Sequence, residues 1–432
     1  MSTAAPLLRE RLGADAIDAT NVYRYSAAGV LPACVLQPAT IAEVVDAVGA
    51  ARGAGLAVIP VGQGTHLDIG HPPRRYDAAL STHRLTRVIA HEAGDMTVTV
   101  EAGLTLAALA RALKTAGQWL PFDPARADDM TVGGLIAADR SGPIRYGFGK
   151  VRDWLLGVKV VTADGAVVRG GGRVVKNVAG YDLPKLFAGS FGSLGVIVEA
   201  TFKLVPLPAD VALFIWPCAT LSDTLAAVRS VLDSAVLPVL VEAVNEAAAE
   251  SLGLEAGPCL VLGCMGSPAH LDEQERRVHA LSDAAAWRVE ADRNGPLRRA
   301  LADFSQPANE DGIVARISAL PTTLATLLPE IEAAAETRRT VAEIAAHAGN
   351  GVAWCQLLGA PSSDDLAELA GWLRATARAR GAWVVYESVP AELRERIDPW
   401  GFAGPALALM TGVKRALDPT GMFSPGRFVG SV

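Results

Sequence analysis

Three glycine-rich segments in the first half of the chain constrain its fold more than any other sequence feature. The first is Pro60-Val61-Gly62-Gln63-Gly64-Thr65-His66, which follows a short apolar run and precedes Gly70. Glycine lets a backbone take positive φ and approach a ligand closely. Successive N–H groups in such a turn form a concave anion site suited to a pyrophosphate. A tight surface turn explains this one segment equally well.

The first segment matches neither of two common nucleotide-binding patterns. A Rossmann fingerprint would place its third glycine at the position of Leu67. A P-loop would end in Gly-Lys-Ser or Gly-Lys-Thr, which does not follow here. The sequence therefore predicts a different kind of phosphate-binding turn.

The second and third segments repeat the same chemistry further along the chain. The second is Thr131-Val132-Gly133-Gly134-Leu135-Ile136-Ala137-Ala138, which continues to Ser141-Gly142. The third is Lys176-Asn177-Val178-Ala179-Gly180-Tyr181-Asp182-Leu183, followed by a glycine-rich entry into a strand over 189–197. Paired glycines and small residues let a ligand lie against bare backbone.

Hydrophobic periodicity predicts an α+β protein. In the first half, Thr40 and Glu43 form a capping box for a helix that reaches Arg52. The other elements predicted there are strands over 56–60, 77–81 and 96–100, a helix over 105–116, a hairpin over 155–169 and a strand over 195–204. After Pro206 and Pro208 the pattern predicts helices over 223–232, 271–287, 323–346 and 364–380, with strands over 239–243, 259–262, 352–357 and 382–386.

The length of 432 residues favours two domains. The two prolines near position 207 indicate a linker. We therefore predict one domain over 1–207 and a smaller α+β domain over 208–432, with the final segment packing back on the first domain.

Charge and composition exclude several function classes. The formal net charge is -7, and no basic run stands out, which argues against a nucleic-acid binder. No apolar run approaches the ~18 residues that a membrane span needs, and the N-terminal residues do not form the pattern of a signal peptide. The five cysteines form no C-x-x-C pair, so an iron–sulfur cluster in this chain is not expected. These features predict a cytoplasmic protein.

The order and spacing of the three segments resemble the FAD-binding domain of the vanillyl-alcohol-oxidase type, also named for p-cresol methylhydroxylase (PCMH). The resemblance covers 31–208 and implies bound FAD in a domain of two α+β subdomains. Because the position of His66 matches that of a flavin-linked His poorly, non-covalent binding is expected. In that family the first turn cradles the pyrophosphate, the Thr-x-Gly-Gly segment lines the pyrophosphate and ribose, and the Leu-Gly-Val-Ile backbone lies near the flavin. These roles carry over to Val61, Gly62, Gln63, Gly64, Thr65, His66, Gly70, Thr131, Gly133, Gly134, Ala137, Ser141, Gly142, Val196 and Ile197.

Two narrower segments resemble the E-subunit family of bacterial glycolate oxidase. They are the run from Gly171 to Phe187, which contains Lys-Asn-Val-Ala-Gly-Tyr-Asp, and Leu417-Asp-Pro-Thr-Gly-Met-Phe-Ser-Pro-Gly-Arg427. The C-terminal run also fits a capped helix end followed by a turn. The resemblance implies a D-type flavin subunit and an iron–sulfur subunit as partners. It also implies a small 2-hydroxy acid as substrate and peripheral contact with the inner membrane through those partners.

The second half departs from the pattern of the D-type subunits. Those subunits have a motif similar to His-Ala-Gly-Asp-Gly-Asn-x-His at a metal and substrate site. In this chain His347 matches the first His of the motif. Asn350 replaces the carboxylate residue, and Trp354 replaces the second His. The later Glu-His-Gly motif is reduced to Glu387-Ser388. One His and a neutral amide are too few ligands for a divalent cation. We therefore predict no metal site and a structural role for His347.

The residues leave the catalytic groups open. No His lies in a constellation typical of a general base. His66 is expected to contact a phosphate or solvent, with a covalent flavin link as the weaker alternative. Lys176 fits a cation near the flavin as well as it fits a structural ion pair. Three hypotheses follow: an FAD-binding subunit of a complex, a self-sufficient 2-hydroxy-acid dehydrogenase, and a non-catalytic structural subunit.

Overall fold

The structure, a computed structural model, describes residues 4–12, 17–18, 20–172, 181–283, 285–401 and 404–432. Within these ranges the first half contains two main sheets, and the second half contains one large sheet covered by helices. The α+β fold class is confirmed. None of the described helices is both long and apolar enough to cross a lipid bilayer.

The elements of the first half are short. Its helices are α1 (Ala4–Leu12), α2 (Ile41–Gly53), α3 (Leu106–Lys114), α4 (Val132–Ala138), α5 (Arg145–Phe148), α6 (Val151–Trp154) and α7 (Leu183–Phe187). Its strands are β1 (Ile17–Asp18), β2 (Cys34–Leu36), β3 (Val58–Val61), β4 (Ala78–Ser81), β5 (Val88–Glu92), β6 (Thr97–Glu101), β7 (Gln118–Trp119), β8 (Leu155–Val161), β9 (Val167–Gly171), β10 (Val196–Lys203) and β11 (Val205–Pro206).

The smaller sheet places the first glycine-rich turn. Its strand order is β1-β2-β4-β3, and β2, β4 and β3 run parallel. Helix α2 makes the crossover between β2 and β3. Its predicted N-cap is present, because Thr40 Oγ1 accepts from Glu43 N, whereas Glu43 Oε2 accepts from Ala39 N, one residue before the N-cap that a full capping box would use. The glycine-rich turn starts where β3 ends, at Val61, so it lies at the carboxyl edge of a parallel sheet.

The second sheet of the first half has the order β5-β6-β10-β8-β9 and is antiparallel throughout. The predicted hairpin is confirmed: β8 and β9 are joined through Asp164-Gly165, and Gly165 has φ +84°. Strand β10 lies in the middle of this sheet and is buried along most of its length.

The second half forms one eight-stranded antiparallel sheet with the order β15-β12-β14-β13-β17-β18-β16-β19. Its strands are β12 (Asp210–Pro217), β13 (Leu240–Val244), β14 (Cys259–Gly266), β15 (Trp287–Arg288), β16 (Ile313–Ser318), β17 (Val341–His347), β18 (Val352–Leu358) and β19 (Trp383–Ser388). Its helices are α8 (Leu221–Leu232), α9 (Glu246–Ser251), α10 (Pro268–Leu281), α11 (Ala291–Asp303), α12 (Pro321–Thr337), α13 (Ser363–Ala379) and α14 (Ala406–Leu417).

Two element predictions in the second half are wrong. The helix predicted over 323–346 ends at Thr337, and Val341–His347 is strand β17. The helix predicted over 271–287 ends at Leu281, and Trp287 lies in β15. The sequence reading also missed α11, β12 and β16. The predicted linker is partly ordered, since Val205–Pro206 pairs with Gln118–Trp119.

The C-terminal segment, residues 418–432, packs on the first half of the chain. Met422 O accepts from Val58 N, and Ser424 N donates to Val58 O, so the segment runs beside β3. Lys414, at the end of α14, donates at 2.7 Å to each of Ser193 O, Phe423 O and Asp418 Oδ2. The last residues therefore lie next to the glycine-rich turn.

Candidate active site

The first glycine-rich turn lies directly against the start of α4. A Cβ added to Gly62 would lie 2.1 Å from Thr131 Oγ1, so only glycine fits there. Thr131 is the N-cap of α4, and its hydroxyl accepts from Gly134 N at 3.1 Å. Gly64 has φ +78°, which favours glycine. Two of the predicted segments, 70 residues apart in sequence, therefore form the two walls of one cleft.

We call this the cofactor cleft. Nine predicted cofactor residues line it: Val61, Gly62, Gln63, Gly64, Thr65, His66, Thr131, Gly134 and Ala137. Seven further residues outside the predicted set also line it, among them Phe191, Gly192 and Arg427. The phosphates of a dinucleotide can approach a backbone closely only where no side chains intervene. The glycine-rich turn opposite Thr131 provides such a stretch of bare backbone. The cleft therefore fits FAD.

The other predicted cofactor residues lie around the cleft. Gly133 packs behind it, where an added Cβ would lie 3.0 Å from Ala102. A Cβ on Gly70 would lie 2.6 Å from Arg427 O in the C-terminal segment and 3.1 Å from the ring of Trp400. The side chains of Val196 and Ile197 are buried in the cores on either side of β10. Their predicted role concerned the backbone and stays a prediction. Lys176 lies outside the described residues.

Ser141 and Gly142 line a second cavity, between the two halves of the chain. His347, Trp354, Arg140 and His66 line it too. We call it the interdomain cavity. Its floor is one face of the large sheet, where a row of polar side chains crosses five adjacent strands. The row consists of Glu242 on β13, His347 on β17, Trp354 on β18, Arg316 on β16 and Glu387 on β19.

The centre of this row is a buried ion cluster. Arg140 Nη1 donates to Glu387 Oε1 at 2.7 Å and Oε2 at 2.8 Å, and Arg316 Nε donates to Oε1 at 2.7 Å. Trp354 Nε1 donates to Glu387 Oε2 at 3.3 Å. Burial acts to raise the pKa of Glu387, but the two guanidinium groups outweigh it and hold that pKa below its ordinary value. Two cations against one carboxylate leave one positive charge.

A β-bulge positions Glu387. Val314 pairs with Ser388 and Ala315 with Tyr386, so Glu387 is the extra residue between them. Bulges re-aim side chains and are frequent next to active sites. Here the bulge turns the carboxylate toward Arg140, which comes from the end of α4 in the other half of the chain.

His347 and Glu242 form a buried pair beside this cluster. Glu242 Oε1 is hydrogen-bonded to His347 Nδ1, so Nε2 is the ring nitrogen that Glu242 does not engage. Burial raises the pKa of Glu242 although His347 opposes the shift. The ring of Trp354 packs edge-on against His347 with centroids 4.6 Å apart. No group of three or more His, Cys, Asp or Glu residues that could hold a metal ion occurs among the described residues.

His66 belongs to both cavities. Its Nδ1 lies 2.9 Å from Thr65 Oγ1. Burial, followed by the nearby Arg140, lowers the pKa of His66 to about 3, so the imidazole is neutral at physiological pH. A neutral ring at this junction can donate or accept a hydrogen bond toward either ligand. The cofactor cleft and the interdomain cavity are therefore adjacent compartments of one site.

The sequence reading missed Glu242, Arg316 and Arg140 as site residues. Their signal is weak: Glu242 and Arg316 interrupt apolar strands at positions that face the same way as His347 and Trp354. A charged residue inside a buried strand is rarely left without a partner. A charged residue within an apolar strand is therefore a candidate functional residue, but the sequence alone does not identify its ion-pair partner.

Comparisons with known proteins agree with the two-part site. Residues 32–171 match the FAD binding domain family, and residues 207–381 match the family described as FAD linked oxidases, C-terminal domain. Among solved structures, p-cresol methylhydroxylase superposes with a TM-score of 0.77 at 16% identity, covering 98% of this chain and 96% of that one. At this identity the likeness concerns the fold.

Three relatives by sequence are informative. The D-2-hydroxyglutarate dehydrogenase of Xanthomonas citri pv. viticola is 29% identical, over 92% of this chain and 89% of that protein. The glycolate oxidase subunit GlcE of Escherichia coli (strain K12) is 38% identical, over 32% of this chain and 40% of that protein. Subunit GlcD of Bacillus subtilis (strain 168) is 29% identical, over 53% and 48%. The chain thus spans under half the length of the two glycolate oxidase subunits that it matches.

These findings define the class of protein: an FAD-binding oxidoreductase whose FAD domain is of the PCMH type. More narrowly, the chain matches both parts of an FAD-linked oxidase, an FAD binding domain over 32–171 and the C-terminal domain of FAD linked oxidases over 207–381. The predicted cofactor, FAD, and the predicted enzyme class are confirmed. Non-covalent attachment stays a prediction.

Proposed function

We propose that this chain is an FAD-binding subunit of a complex that oxidises a small 2-hydroxy acid, such as glycolate, to the 2-oxo acid. A D-type flavin subunit and an iron–sulfur subunit are the proposed partners. The similarity to GlcE and GlcD, and the hydroxy-acid dehydrogenase relative, support the substrate class and the assembly.

The single observation that carries the substrate class is the ion cluster beside the interdomain cavity, which Arg140 lines. Arg140, Arg316 and Glu387 together leave one positive charge next to the cofactor cleft. A guanidinium group binds a carboxylate strongly and in a fixed geometry. One surplus charge fits a monocarboxylate better than a dicarboxylate, and the apolar wall formed by Leu301, Phe304 and Trp354 fits a short substrate.

The chain's own residues have defined tasks in this proposal. FAD, when bound, supplies the hydride acceptor for the substrate carbon. Arg140 holds the substrate carboxylate, and Glu387 keeps the guanidinium in place. His66, neutral and at the junction, donates or accepts a hydrogen bond near the reacting atoms. Ser388 occupies the position of the His in the Glu-His-Gly motif of the D-type subunits. No proton acceptor is therefore assigned at that position.

The test uses the purified chain in its FAD-loaded form under anaerobic conditions. Adding glycolate should shift the flavin absorption bands without bleaching them, because the carboxylate binds while oxidation awaits the partner subunits. Adding the partner subunits should then bleach the flavin. An unchanged spectrum at saturating glycolate would refute the carboxylate site.

A self-sufficient dehydrogenase is the second candidate, and the Glu242–His347 pair favours it. Because Glu242 is hydrogen-bonded to Nδ1 of His347, Nε2 is the ring nitrogen positioned to accept a proton. In this case glycolate alone should bleach the flavin at a catalytic rate. The variant His347→Gln should abolish the bleaching but keep the FAD spectrum.

A further inference from the structure

Arg427 is a buried cation without a counter-ion. The residue is only 5% exposed, and Nη2 donates to Leu67 O at 2.7 Å and to Ile69 O at 2.8 Å. Nη1 is buried and has no hydrogen-bond partner. Among the described residues, no carboxylate lies within ion-pair distance of this guanidinium. Burial lowers the pKa of Arg427 to about 10, in line with an uncompensated charge.

Two comparable cations in the described part of the chain have carboxylate partners. Lys414 has Asp418 at 2.7 Å, and Arg140 has Glu387 at 2.7 Å. A buried charge is costly unless it is paired. The exception therefore needs an anion that does not come from the described protein.

The position of Arg427 identifies that anion. The side chain lines the cofactor cleft together with Gly62, Gly64 and Thr131. The pyrophosphate is the anionic part of FAD, and the glycine-rich turn of this cleft is the part suited to it. We propose that Arg427 binds a phosphate oxygen of the FAD pyrophosphate, so that the C-terminal segment closes the cofactor site. This inference rests on FAD binding and not on the identity of the substrate.

The C-terminal segment holds Arg427 firmly in this position. Arg427 O accepts from Trp400 Nε1 at 2.8 Å and from His71 N at 3.2 Å. Three residues earlier, Ser424 Oγ donates to Gly192 O at 3.1 Å, and Gly192 also lines the cleft. Residues from both halves of the sequence therefore complete one phosphate site, and bound FAD should stabilise the C-terminal segment further.

The test compares three ligands on apo-protein. FAD carries flavin and diphosphate, ADP carries diphosphate without flavin, and riboflavin carries flavin without phosphate. In Arg427→Gln, the affinities for FAD and ADP should each fall at least tenfold while riboflavin binding stays unchanged. Arg427→Lys should recover part of the loss. The control is Arg74→Gln, an exposed arginine that packs beside Gly426 in the same segment.

Three results would overturn the proposal. They are unchanged ADP affinity in Arg427→Gln, an equal loss for all three ligands, and the same loss in the Arg74 control. If Arg427→Gln does not fold, Arg427→Lys decides by the same ligand comparison. Limited proteolysis of wild-type protein adds a second readout: ADP should protect the C-terminal segment from cleavage, and riboflavin should not. Hydroxy-acid oxidation is not measured in any of these arms.

Discussion

Arg140 connects the two halves of the chain at the level of a single side chain. It leaves the end of α4 in the FAD domain and binds both oxygens of Glu387 on the large sheet. Its Nε is buried without a partner. A guanidinium group with one side engaged and one nitrogen free is suited to receive a further carboxylate.

Replacing Arg140 by Gln should weaken glycolate binding about 10- to 100-fold, because charge-assisted hydrogen bonds contribute about 1.5–3 kcal/mol. FAD binding should not change. Titrating the flavin absorption with glycolate measures the effect, and Arg152→Gln, an exposed arginine nearby, is the control. Wild-type glycolate affinity in the Arg140 variant would place the carboxylate elsewhere.

Asp123 gives the site a pH-dependent contribution to stability. Burial raises the pKa of Asp123 to about 8, against the effect of Arg298 and of Ile144 N, which lies 3.3 Å from each carboxylate oxygen. Because the folded state holds this proton more tightly than the unfolded state, the free energy of unfolding falls as pH rises from about 4 to 8.

The variant Asp123→Asn should flatten that dependence. Relative to wild type, it should gain about 1 kcal/mol or more between pH 6 and pH 8. Urea unfolding of the apo-protein at these two pH values measures the difference. Parallel pH profiles for wild type and variant would show that Asp123 is ionised in the folded protein at neutral pH.

At the scale of elements, the contact between the glycine-rich turn and α4 forms the cofactor cleft. Gly62→Ala should weaken FAD binding and cost about 1–3 kcal/mol of stability, because the new Cβ overlaps Thr131. Gly49→Ala is the matched control, since Gly49 is an exposed helical residue with open space around its Cβ. It should leave FAD affinity unchanged and raise stability by about 0.5–1 kcal/mol. Equal FAD affinities in the two variants would contradict the assignment of the cleft.

Helix α14 anchors the C-terminal segment through Lys414. Removing one partner of a buried ion pair leaves the other uncompensated and costs about 3–5 kcal/mol. Lys414→Met should therefore lower thermal stability and also weaken FAD binding, because Phe423 O and Asp418 hold the segment that carries Arg427. Arg415→Met, at an exposed position in the same helix, serves as control. Loss of stability with intact FAD affinity would separate the anchor from the cofactor site.

The element predictions failed where local propensity and sheet pairing compete. The run Val341-Ala-Glu-Ile-Ala-Ala-His347 is rich in helix formers, yet it pairs with β13 and β18 in the sheet. The usual stop signal is also missing, since the left-handed residue after α12 is Arg339 with φ +54° and not a glycine. The Thr40 N-cap of α2 and the Asp164-Gly165 hairpin were predictable because their signals are local.

At the scale of the whole molecule, the site lies where the FAD domain meets the large sheet. The sequence predicted nine lining residues of the cofactor cleft, because glycines near a strand end carry a local pattern. It could not predict that Arg140 meets Glu387, 247 positions away, or that Arg427 reaches the turn after β3. Those contacts depend on domain packing and on a strand bulge, which leave no short-range pattern.

The most direct test of the account is the visible spectrum of the purified chain during anaerobic addition of glycolate. The account predicts a flavin spectrum that shifts with saturation and stays oxidised until the D-type and iron–sulfur subunits are added. Rapid bleaching by glycolate alone would contradict the subunit role and favour a self-sufficient dehydrogenase. A spectrum that glycolate does not change would contradict the carboxylate site at Arg140.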